Sequence, residues 1–142
     1  MKRILFITEL CSAFDLRPDN VFGLGQERGW LEYEDELFCN DQITRKQMAR
    51  IIHMFLLKEK GISDIPDISR AEVLRDLYDC RVCAGHVAQV YLRGIMDAVK
   101  LDKEGKVLFF DLEGTDDKSD IYESIRRTAE TVNKLRSMNM KG

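Results

Sequence analysis

The sequence has no long apolar run, no basic stripe and no familiar catalytic signature. Its apolar runs fall far short of the roughly 20 residues that span a bilayer, so no membrane partner is expected. Its Lys and Arg residues are scattered through a chain of net charge −3. That balance argues against direct nucleic-acid binding. There is no G-x-S-x-G, no H-E-x-x-H and no glycine-rich phosphate loop. "LFIT" would suit the first strand of a nucleotide-binding fold, but no such loop follows it. Histidine occurs only twice, and His53 falls beside an apolar helix face, as a core-edge residue would. The expectation is a protein that is not an enzyme and holds no cofactor.

What is present is an ordinary globular balance. Hydrophobic residues make up 44% and charged residues 33% of 142 positions. That is enough chain for one domain with a real core. The opening "MKRILFITELCSAF" superficially resembles a signal peptide. Glu9 and Asp15 break its apolar run, so it reads as part of the fold. A cytoplasmic location follows as the default, and with it four reduced cysteines rather than a disulfide framework.

The pattern along the chain is mostly α, with short helices joined by ordered loops. Residues 3–12 suit either a helix or a buried strand. Pro18 opens a helix that Gly29 stops. Residues 31–42, "LEYEDELFCNDQ", read as an acidic loop with Phe38 anchored in the core. "DQITRKQMARII" then opens a helix whose Thr44 and Gln47 have capping-box spacing. Met48, Ile51, Ile52 and Phe55 give that helix one apolar face, and Gly61 ends it. "ISRAEVLRDLYD" repeats the device, with Ser69 as cap and Glu72 three residues on. A helix over about 84–92 stops at Gly94. "KVLFF" is a short extended piece, and Ile121, Ile125, Ala129, Val132 and Leu135 mark a last helix over about 120–137.

Two halves share a grammar. One helix ends at "RGWLE" and another at "RGIMD"; each is followed by an acidic loop with Phe and then a new helix. Repetition of a helix–loop–helix unit predicts stacked units sharing one core. The segments "RGWLEYEDELFCNDQITRKQMARII", "SDIPDISRAEV" and "AGHVAQVYLRGIM" resemble S-layer homology modules, with units at about 18–60 and 63–138 of a single domain. The first unit lacks the family's Gly-His pair, and "TDDKSD" stands where the second unit would carry Thr-Arg. The resemblance implies a polysaccharide-binding role for Trp30, Thr44 and Arg45, and more weakly for Ser69 and Arg70. Such a role requires export, a groove between units and an exposed Arg45. A cation at the first helical position is not favoured by the helix dipole, so Arg45 hints at an anionic partner or at simple exposure. Capping alone accounts for Thr44.

Two further patterns carry chemistry. Cys80, Cys83 and His86 have C-x2-C-x2-H spacing, which offers three zinc ligands. No second paired motif completes a zinc site, so no metal is expected. Redox use of the C-x-x-C is disfavoured because the βαβ context is missing. "KLDKEGKVLFFD" fails as a calcium loop because Lys100 would take the first ligand position. The acidic run at 32–36 points elsewhere. Glu32, Glu34 and Glu36 form a candidate contact surface for a basic partner. The leading expectation is therefore a small protein–protein interaction module, a regulator or inhibitor that covers a partner's surface. A mobile element or phage could encode such an inhibitor. The alternatives are an exported wall-polysaccharide-binding module and a zinc-stabilised domain.

Overall fold

The computed structural model describes residues 1–141 and is mostly helical. Six α-helices follow in order: α1 (Arg3–Ser12), α2 (Val21–Arg28), α3 (Tyr33–Leu37), α4 (Arg45–Met54), α5 (Arg81–Leu92) and α6 (Lys118–Lys141). Among the described residues one two-stranded antiparallel sheet, β1 (Val99–Lys100) and β2 (Leu108–Phe109), sits between α5 and α6. Among the described residues no helix is long and apolar enough to cross a membrane.

One apolar cluster runs from Phe6 on α1 to Val132 on α6. α4 lies at its centre and packs most extensively on α5. Met48, Ala49, Ile51, Ile52 and Phe55 are fully buried, so the face expected from helical spacing is the face that packs. Each such side chain contributes on the order of 2 kcal/mol on leaving water. α4 continues through a π-helical turn, Phe55–Glu59, before Gly61 turns the chain at φ 67°.

The two Arg-Gly phrases fold alike. Gly29 and Gly94 both take left-handed φ values, 86° and 72°. The next two amides bond back to a single carbonyl: Trp30 and Leu31 to Gly25, Ile95 and Met96 to Val90. These contacts satisfy helix-terminal carbonyls. They also turn Trp30 and Ile95 inward, where they are 1% and 0% exposed.

Several local expectations are corrected. The acidic loop contains the short helix α3, and its buried residue is Asp35 at 0% exposure; Phe38 is 47% exposed. An apolar anchor was expected there, but the charged carboxylate goes inside because two arginines meet it. α2 is capped by Asn20, whose side chain accepts from the Gly23 amide, rather than opened by Pro18. The Ser69 segment forms 3₁₀ turns, Ser69–Val73 and Leu77–Asp79, instead of a capped α-helix. Only Ala71, Leu74 and Leu77 are buried there, and the Ser69 amide is spent on Asp67 Oδ1 at 3.0 Å. Residues 3–12, left open between helix and strand, are helical. In the rejected calcium loop, Asp102 Oδ1 accepts from the amides of Lys106 and Val107, an ordinary turn.

Candidate functional site

The first turn of α4 shows what the capping box does and what Arg45 does. Gln47 Oε1 accepts from the Thr44 amide at 2.9 Å, and Thr44 Oγ1 accepts from the Gln47 amide at 3.4 Å. The Arg45 and Lys46 amides donate to the carbonyls of Gly114 and Leu112. The orphan donors of the helix end are thus satisfied by the loop before α6.

Arg45 is buried, and the expectation of a solvent-facing side chain is corrected. Its Nε donates to the Phe110 carbonyl at 2.7 Å, and one terminal nitrogen donates to both Asp116 oxygens at 2.8 Å. The other donates to the Asp97 carbonyl at 2.6 Å. The guanidinium also lies 4.6 Å over the Phe110 ring. A cation opposed by the helix dipole is held by a carboxylate, two carbonyls and an aromatic face.

Trp30 is likewise internal, packed edge-on against Phe55 with centroids 5.0 Å apart. Trp30 and Arg45 therefore meet different parts of the core. Arg70 is exposed on its 3₁₀ turn. The exposed Arg45 that the S-layer resemblance required is absent, and Trp30 presents no surface for a sugar to stack on.

The acidic segment behaves differently. Asp35 receives Arg3 at 3.1 Å, Arg50 at 2.6 and 3.0 Å, and the Glu32 amide at 2.8 Å. This four-bond clamp fixes the orientation of α3. Tyr33, Leu37 and Phe38 are then left 68%, 60% and 47% exposed. Around them stand Glu32, Glu34 and Glu36, all exposed. Glu34 leans on Arg50 at 3.3 Å and Glu36 accepts from Gln26 at 3.0 Å. The charges run as expected; the large apolar side chains they surround were not expected.

Beside α3 an open groove of about 400 Å³ runs between α4 and α5. Glu32, Glu34 and Arg50 form one side, and Cys80, Cys83 and His86 the other. Cys80 and Cys83 are joined as a disulfide, with Cα atoms 5.2 Å apart, and this corrects the expectation of four reduced thiols. Cys80 stands at the N-cap position of α5 and Cys83 is in its first turn, so the helix itself brings the two sulfurs within bonding reach. Cys11 and Cys39 remain free, Cys11 buried. With the thiols joined, the C-x2-C-x2-H set offers zinc no thiolates. Among the described residues no three His, Cys, Asp or Glu side chains are placed to hold a metal.

Behind the disulfide lies a chain of ring nitrogens. His53 Nε2 is 2.7 Å from Asp64 Oδ1, and His53 Nδ1 is 2.7 Å from His86 Nδ1. Burial pushes His86 down to about 4, aided by His53 and Arg50, so the ring is neutral at pH 7. The carboxylate demands a proton on His53 Nε2. Neutral His86 meets His53 Nδ1 through its own Nδ1, as donor or as acceptor according to which ring nitrogen carries its proton. Sequence spacing could not find this pair, because 33 residues separate the two histidines.

No family model matches this sequence, and no curated protein or solved structure matches it.

Proposed function

We propose that this protein is a docking module for another protein and that the exposed face of α3 makes the contact. The observation that carries the reading is the trio Tyr33, Leu37 and Phe38, held outward by a helix whose own anchor, Asp35, is fully buried. Aromatic and aliphatic side chains on a preformed element lose little freedom on binding and supply the anchors of protein interfaces. The ring of Glu32, Glu34 and Glu36 selects the partner's chemistry: an apolar pocket with a basic rim. Covering such a surface is a mode of action open to a small regulator or inhibitor, and it needs no reaction.

The test is affinity capture with the wild-type chain against two variants. One carries Tyr33→Ala and Phe38→Ala; the other carries Glu32→Lys, Glu34→Lys and Glu36→Lys. A genuine partner is lost with the first variant. With the second it is weakened, with a reduced salt dependence of association. Tyr33 and Phe38 are exposed, so the first variant should melt like the wild type; the second loses the Glu32 and Glu34 contacts to Arg50, so its retained helix content is checked by circular dichroism before capture. Capture of the same proteins by all three chains would overturn the reading.

A further inference from the structure

We infer, on the strength of the docking role proposed for α3, that its face docks into a second copy of this chain, at a basic pocket on the opposite end of the molecule. That role asks for an apolar pocket with a basic rim, and the chain carries one itself. Lys60, Arg93 and Arg136 ring a cavity of about 310 Å³ whose apolar walls are Ile62, Val132 and Leu135. Among the described residues no carboxylate lines it. Lys60 ends the π-helical turn, Arg93 follows α5 and Arg136 lies on α6. Their charges are positioned but not neutralised. The Lys60 ammonium lies 4.7 Å over the Phe14 ring and 5.8 Å over the Phe55 ring. Arg93 donates to the Ser63 carbonyl at 2.8 Å, and Asp64, whose field reaches it, is bonded to His53. Burial, and next Arg136, hold Lys60 below its ordinary value. An acidic group brought to the rim relieves that repulsion.

The α3 face supplies what the pocket lacks. Tyr33 and Phe38 are the aromatic insert. Glu32, Glu34, Asp35 and Glu36 stand against only Arg3 and Arg50, so four carboxylates and two guanidinium groups leave that face at −2. The two faces lie at opposite ends of the same helices. Arg50 on α4 and Cys83 on α5 line the acidic groove, whereas Lys60 and Arg93 line the basic pocket. Each pair is ten residues apart, roughly 15 Å of helix. The two linings share no residue, and the Asp35 clamp keeps α3 from swinging across. The face of one copy therefore meets the pocket of the next. Such a contact is heterologous: every copy added presents a new free face or pocket, so copies join head to tail into a ring or a filament.

The test is sedimentation velocity of the full chain, from about 5 to about 500 µM, in low salt and in about 0.5 M NaCl. In low salt the mean mass should rise with concentration above the 16.5 kDa of one chain. The association constant should fall about tenfold in high salt, where the charges are screened. Tyr33→Ala with Phe38→Ala spoils the face, and Lys60→Glu with Arg136→Glu spoils the pocket. Each variant alone should associate about tenfold more weakly. Mixed, they retain one intact face and one intact pocket, so a one-to-one pair should form and grow no further. Arg136→Glu alone, at an exposed position, replaces the double variant if circular dichroism shows that the latter has lost helix. A wild-type chain that stays monomeric throughout would overturn the proposal. If that monomer captures a different protein through Tyr33 and Phe38, the docking role of α3 stands without it. Self-association retained by the pocket variant would also overturn it, because α3 would then be pairing elsewhere. Inorganic phosphate bound by a monomeric wild type, and lost with Arg136→Glu, would assign the pocket to a small anion instead.

Discussion

Arg45 and Asp35 show how much a single side chain can hold. Arg45 ties the start of α4 to residues 52, 65 and 71 positions later. The sequence marks it as unusual, because a cation at a helix N-terminus needs a partner. The partner itself was not legible, since Asp97, Phe110 and Asp116 share no pattern with Arg45 along the chain. Replacing one member of a buried ion pair leaves the other uncompensated. Arg45→Ala should cost about 3 kcal/mol in urea unfolding. Arg45→Lys should recover only part of it, because an ammonium cannot serve three acceptors in one plane. An Arg45→Ala protein as stable as wild type would place Arg45 outside the set that holds the fold together. Asp35→Ala strands both Arg3 and Arg50, whose side chains are only 4% and 13% exposed. A loss of similar size, about 3 kcal/mol, is expected there. It should come with a released α3, read as faster amide exchange at Tyr33–Leu37.

At the level of elements, legibility followed length and local chemistry. α4, α5 and α6 have ten or more residues, long enough for the helical period to show; α1 also has ten, but its apolar run ILFI hides the period. Gly29, Gly61 and Gly94 take positive φ where a helix stop was expected. α3 has five residues, too few for any period to emerge. The Ser69 segment has the letters of a capping box without the structure. Val73 is 48% exposed, so that segment lacks the continuous apolar face that makes a helix worth forming. The same letters at Thr44 and Gln47 do form the box, and it should be measurable. Thr44→Ala should lower stability by about 1 kcal/mol. Because the Arg45 and Lys46 amides are already bonded to the 112–114 loop, the loss should stay near that value rather than fray the helix. Thermal unfolding monitored at 222 nm checks this, and a loss of several kcal/mol would mean that the loop depends on the cap.

Across the whole molecule, the Asp64–His53–His86 chain joins α4, the 62–68 connection and α5, and it makes stability depend on pH with a definite sign. His86 has a folded-state value of about 4 against an ordinary 6.5, chiefly from burial. Between those values the unfolded chain binds a proton that the folded chain refuses, so stability rises with pH across that window. The contribution is fully present above pH 6.5 and is lost as pH falls toward 4. Carboxylates in general also pick up protons in acid, so a falling melting temperature alone does not identify His86. The informative quantity is the difference between wild type and His86→Gln, in which the carboxylate contributions cancel. That difference should be largest at pH 7 and shrink steadily through pH 5.5 to pH 4.5. A constant difference across the three pH values would mean that His86 keeps its ordinary affinity for protons in the folded state.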